Sequence, residues 1–146
     1  MTELRIQRMK VGEKFATPAR MVTRTDIEHF CSLTGMMDPL FLSDEHVKTD
    51  EERNRIVKLE GALIPGQLSY SIFMGNLVSS HILDDVIVQL GTTNLRWPAP
   101  AYHYDMLKTE IEITGNKTTK AGSIIVDFDW WLKNQHDQVV CEGHNT

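Results

Sequence analysis

The sequence predicts an α+β domain, a long helix packed on one face of an antiparallel sheet, and three observations carry that prediction. Apolar residues recur at helical spacing in the first half of the chain. The segment "IPGQLSYSIFMGNLVSSHIL" (64–83) is long and apolar enough to be a helix buried on most sides. From residue 86 the period switches toward two, in β-branched and aromatic runs separated by turn signals. Helices first and strands after is the α+β pattern. The 146 residues, 41% of them hydrophobic, suit one core, and no repeat, low-complexity tract or linker divides them, so residues 1–146 are expected to form a single domain.

Each element follows in order. "KFATPARMVT" (14–23) contains Pro18, which cannot donate to a ladder, so this segment is at most an edge or bent strand. In "TRTDIEHFCSLTG", Thr23 with Asp26, or Thr25 with Glu28, forms a capping box; Ile27, Phe30 and Leu33 follow at helical spacing and Gly35 supplies the left-handed stop. "SDEHVKTDEERNRI" is a charged, solvated helical excursion with Ser43 as its N-cap. In the long helix the apolar positions are Leu68, Ile72, Phe73, Leu77 and Val78; Ser69, Ser71, Gly75, Ser79 and Ser80 are small enough to admit a close neighbour. "VIVQLGTTNLRW", "LKTEIEIT", "SIIVDFDWWL" and "QVVCEG" are the strands. Alternation in the second places Leu107, Thr109, Ile111 and Ile113 on the buried face and Lys108, Glu110 and Glu112 on the wet one. Trp130 and Trp131 face opposite ways, one toward the core and one toward a subunit interface or lid.

Composition excludes several classes of function. Fifteen Lys and Arg against twenty Asp and Glu leave a net charge of −5 with no basic run, which argues against nucleic acid. No apolar signal segment and no window of membrane-spanning length occurs, so a soluble cytoplasmic protein is expected. Cys31 and Cys141 have no metal-ligand spacing and are expected to be buried and reduced. No metal or cofactor is implied.

The strings "VGEKF", "VTRTDIEHFCSLTG", "GALIPGQLSYSIF", "NLRWPAPAYHYDML" and "EIEITGNKTTKAGSIIVDFDWWLKNQHDQVVCEG", in this order and spacing, resemble the MaoC-like dehydratase and (R)-specific enoyl-CoA hydratase family of hotdog-fold proteins. The resemblance runs from Val11 to Gly143. It implies a hotdog domain, an acyl thioester ligand such as an acyl-CoA, a lyase reaction adding or removing water, and pairing through sheet edges into a homodimer or higher oligomer. The family's loop reads approximately Gly-Asp-x-Asn-Pro-x-His, so that an acid and a base face one water. The backbone amide at the start of the central helix donates to the thioester oxygen, where negative charge develops.

Aligned on Gly35, that motif places Met36 at the aspartate position, Asp38 at the asparagine, Pro39 on the proline and Phe41 at the histidine. Neither Met nor Phe carries a proton at any pH. The site is degenerate. Asp38 is the one carboxylate left in the loop, either a relocated catalytic group or a turn former before Pro39. Met36, Met37 and Phe41 either shape an apolar substrate pocket or fill the former site. Pro65, Gly66 and Gln67 are expected to retain the carbonyl-binding helix start, with a plain helix start as the other reading. Tyr70, beside Ser69, is expected to bond a ligand or a backbone carbonyl. His29 reads as a surface residue, His81 as a cation at a helix end, and His103 as lying near the mouth of the site. The sequence therefore predicts an acyl-thioester-binding, hydratase-type lyase with a non-standard site. The alternative is a non-catalytic partner of a homologous hotdog subunit; a thioesterase is disfavoured because residues 66–80 lack the carboxylate that chemistry uses.

Overall fold

The computed structural model describes residues 3–146; of the expected domain, residues 1 and 2 lie outside the described part. After a 3-10 turn at Ile6–Arg8 come β1 (Lys14–Ala16), β2 (Arg20–Met21), α1 (Arg24–Thr34), α2 (Pro39–Leu42), α3 (Asp44–Thr49), α4 (Glu51–Ile56) and α5 (Gly66–Ser79). The second half supplies β3 (Thr92–Arg96), β4 (Met106–Thr118), β5 (Ile124–Lys133) and β6 (Val139–Asn145). The antiparallel sheet has the order β1-β4-β5-β6-β3, with β2 also paired to β4. Pro18 falls between β1 and β2 and splits the expected strand into two short pieces. As expected for an edge element, β1 lies at the end of the sheet.

The sheet wraps α5, which is the centre of the core. Phe73 of α5 stacks on Trp130 of β5 with ring centroids 3.6 Å apart and planes 5° from parallel. Trp130 is fully buried, and its cross-strand partner is Gly143, where a Cβ would come within 2.8 Å of the indole. A buried Trp of this kind contributes about 3–5 kcal/mol relative to Ala. Leu107, Thr109, Ile111 and Ile113 are all buried, as the alternation in β4 requires.

Two polar side chains set the position of the helix on the sheet. Asn76 donates from Nδ2 to Leu107 O (3.2 Å) and Thr109 Oγ1 (3.3 Å), and Thr109 Oγ1 donates back to Phe73 O (3.1 Å). The buried stripe of α5 is thus Ser69, Ile72, Phe73, Asn76 and Leu77, with Leu68 half-buried and Val78 55% exposed. An apolar-only reading misses Ser69 and Asn76, which complete the i, i+3, i+4, i+7, i+8 face. A Cβ on Gly75 would meet nothing within 4 Å among the described residues.

Other expectations need correction. On α1 the capping box is Thr23 with Asp26, not the alternative register. Its backbone hydrogen bond with Thr23 holds the Asp26 carboxyl below the usual carboxylate range. The buried face is Ile27 and Cys31, while Leu33 is 87% exposed. Six residues after Ile27 rotate about 240° around the axis, which carries Leu33 off the stripe. His81 follows the C-cap Ser80 in the left-handed conformation (φ 63°), donates from its N–H to Val78 O (3.0 Å) and pairs with Asp84 at 3.2 Å. The strand expected from residue 86 begins only at Thr92. Val86 to Leu90 is exposed, Ile87 by 97%, because no neighbouring strand among the described residues takes up its backbone beyond the bond from Leu90 N to Thr146 O (2.8 Å). Both cysteines are free and buried, and burial pushes the Cys141 thiol up to about 12.

Candidate functional site

The loop from Gly35 to Ser43 is built almost entirely from its own caps. Gly35, at φ 79°, ends α1 by donating from its N–H to Cys31 O (2.9 Å). Asp38 is the N-cap of α2: its Oδ1 accepts from Leu40 N at 2.8 Å while the side chain stays exposed. Pro39 occupies the first helical position, where its missing donor costs nothing. Ser43 then caps α3 by accepting from His46 N (3.2 Å). Arg24 Nη2 donates to Leu42 O (2.7 Å) and Leu63 N to Leu40 O (2.9 Å), which ties the loop to α1 and to the segment leading into α5. Met36 and Phe41 are half-buried against the core, and Met37 is 63% exposed. Met36 and Phe41, which the resemblance aligns with an acid and a base, pack against the core here.

The approach to α5 is held from two sides. Ile64 N donates to Ala101 O (2.7 Å), and Leu63 forms a bridge with Tyr102. Asp44 Oδ1 accepts from Ala62 N at 2.7 Å, and Glu60 N donates to Tyr102 Oη (3.1 Å). The same Asp44 carboxylate lies 3.7 Å from His103 Nε2. Sequence reasoning noticed His103 but not Asp44, because the two are joined only by the fold.

Pro65 is the N-cap of α5 and provides no side-chain acceptor for the first turn. No side chain caps the leading N–H groups, which lie at the positive end of the helix dipole. Gly66 is required at this point. A Cβ there would come within 2.8 Å of the Trp97 ring, whose Nε1 donates to Gly66 O at 2.9 Å. Trp97, 44% exposed, roofs the helix start, and its local signal in the sequence is an aromatic before proline in "NLRWPAP". Gln67 is exposed in the first turn, and Tyr70 stands one turn further on the same face, its hydroxyl 2.6 Å from Thr92 Oγ1. His29 is exposed on α1, away from these contacts.

Two hollows, of about 660 and 210 Å³, lie elsewhere, on the sheet face turned away from α5. The larger is lined by Phe15, Glu110, Trp131 and Lys133, whose charges are already paired: Lys133 Nζ is 2.6 Å from Glu110 and holds that carboxyl below its usual range. Volume alone would favour this groove. The open donors at Gly66 and the convergence of loop, helix and roof favour the α5 start, and we take that as the candidate site.

A sheet wrapped around one central helix is the hotdog architecture. No family model matches the sequence, and no curated protein does. Solved structures do: the MaoC-like dehydratase from Rhodospirillum rubrum is 27% identical, with 97% of this chain and 93% of that one covered at a TM-score of 0.73. A monoamine oxidase regulatory protein from Archaeoglobus is 24% identical over 97% of this chain and 91% of its own, at a TM-score of 0.77. The (R)-hydratase from A. caviae involved in PHA biosynthesis is 21% identical over 95% and 96%, at 0.72. The fold is that of the hotdog proteins, and over nearly its whole length the chain is similar to the MaoC-like dehydratases among them.

Proposed function

We propose that this protein binds an acyl thioester, or a similar apolar carbonyl compound, as a hydratase-type hotdog protein whose 36–41 loop transfers no protons. The observation that carries this reading is the contrast at the site. The uncapped start of α5 keeps open donors for a carbonyl oxygen, while Asp38 is engaged as a cap and Met36 and Phe41 are packed apolar groups.

Two arrangements supply the missing proton transfers. In the first, a homologous hotdog subunit contributes its acid and base across a shared interface. This is favoured by the outer edge of β3, unpaired among the described residues, by the exposed Val86 to Leu90 before it and by Trp97 after it. Structural neighbours include the HadBC 3R-hydroxyacyl-ACP dehydratase complex and the ChsH1-ChsH2 complex, both from Mycobacterium tuberculosis. A homodimer through the same edge would enclose the site without adding the pair. In the second arrangement the chain acts alone as a divergent lyase, with Asp44 and His103 as the relocated pair and Asp38 as a water-orienting group.

The deciding experiment titrates the purified chain with crotonyl-CoA calorimetrically and follows hydration of the same compound. Binding without hydration supports the subunit arrangement, and adding a sibling chain with an intact motif should then restore turnover. Hydration above background that His103→Gln abolishes supports the lone enzyme. Absence of binding sinks the proposal.

A further inference from the structure

A polar node lies one turn along α5 from Gly66, and its hydrogen-bond directions follow from a single group. Trp130 Nε1 is a donor only, and it points at Asn145 Oδ1 (2.8 Å), so Asn145 presents its oxygen to the node. Thr92 Oγ1, 3.0 Å from the same oxygen, must therefore donate to it. Its one proton is then in use, and the 2.6 Å contact with Tyr70 requires the Tyr70 hydroxyl to donate to Thr92. Gln89 Nε2 lies 3.0 Å from Tyr70 Oη and 2.7 Å from Thr92 Oγ1, and both of those atoms receive its protons.

Every proton in the chain of bonds runs inward to Asn145. What the node offers outward is acceptor capacity, from the Gln89 carbonyl oxygen, which accepts no hydrogen bond among the described residues, and from the remaining lone pair on Tyr70 Oη. Gln89 is exposed, and Tyr70 and Thr92 are half-buried. Asn145 is 1% exposed, and its Nδ2 has no acceptor. Orphaned buried amides are uncommon and collect at functional sites rather than in optimised packing.

We infer that Gln89 and Tyr70 form a recognition site for a hydrogen-bond donor on the ligand, a hydroxyl or an amide N–H, placed beyond the carbonyl bound at Gly66. This inference rests on the reading of the α5 start as a thioester-carbonyl site. Gly66 and Tyr70 are four residues apart on one helix face, so the donor sits about 6 Å along the axis from the carbonyl position. That distance lies past the carbons at which water adds or leaves. It suits an acyl chain hydroxylated further out, or an amide of the pantetheine arm running the other way.

The test compares hexanoyl-CoA with δ-hydroxyhexanoyl-CoA on the full chain, for the wild type, Gln89→Leu and Tyr70→Phe. Gln89 is exposed and Tyr70→Phe keeps the ring contacts to Phe73 and Trp130, so both variants should fold, as circular dichroism would verify. A hydroxyl read at the node gives the wild type a roughly 3- to 10-fold preference for the hydroxylated ligand, which both variants lose. Equal weakening of both ligands in the variants also supports the node and assigns the donor to the pantetheine amide. Wild-type binding that neither substitution nor the hydroxyl changes overturns the inference while leaving the carbonyl site standing. Failure of the wild type to bind either thioester removes both.

Discussion

The loop at 35–43 and the first turn of α5 differ in how they treat their polar groups. The loop closes on itself: Asp38 and Ser43 cap the helices that follow them, and Met36 and Phe41 turn into the core. The α5 start does the opposite: its proline cap accepts from Ser69 N through the backbone but has no side-chain acceptor, and a glycine follows it. The difference teaches that two neighbouring segments can treat their polar groups in opposite ways, one satisfying them with its own caps and the other leaving its first turn without a side-chain cap.

The most forceful way to break the contrast is to refill the loop. Met36→Asp, Asp38→Asn and Phe41→His together should raise crotonyl-CoA hydration by at least about 10²-fold over the parent chain, the usual contribution of positioned acid–base groups. Burying the new polar groups should cost about 1–3 kcal/mol in a urea melt. A triple variant that folds and binds but gains no activity would show that the loop no longer aims at the carbonyl.

Closing the other side comes next. Gly66→Ala places a Cβ against Trp97 and should weaken acyl-CoA binding about tenfold, or about 1.4 kcal/mol, with little change in helix content. Adding Trp97→Ala should return part of that affinity, and a double variant no better than the single one would argue that the clash is not the cause.

Asp38 sharpens the comparison further, because capping and catalysis respond differently to two substitutions. Asp38→Ala should cost about 0.5–2 kcal/mol of stability and Asp38→Asn only a few tenths, since Asn caps nearly as well. Ligand affinity should be unchanged in both by calorimetry; a loss of turnover in Asp38→Asn would return this residue to the chemistry.

The smallest effect concerns pH. The Asp26 carboxyl is held low in the folded state, so its contribution is present above its unfolded pKa and is lost as pH falls through the folded one, below about pH 4. Thermal melts of Asp26→Asn should therefore converge with the parent in that acid range and fall below it at neutral pH. Parallel curves across the whole range would contradict the assigned cause.

How much of this was legible beforehand differs by element. The capping box, the left-handed stop at Gly35 and the alternation in β4 were readable because each is decided by residues close in sequence. Leu33, Val78 and Val86 to Leu90 were misread because helical phase and strand pairing depend on which neighbour is present. In the site, the reading of Met36 and Phe41 at the acid and base positions rests on a family motif alone, whereas Asp38's cap, the Trp97 roof and the Asp44–His103 approach needed coordinates.

The sequence by itself determined the class of fold and the order of its elements, because propensity, capping and periodicity act over a few residues. Only the tertiary structure decided which distant groups meet. Trp97 lies over Gly66 and Tyr70 reaches Thr92 and Gln89, because the sheet curls β3 along the first turns of α5. Long-range packing is a property of the closed chain, and no local spacing encodes it.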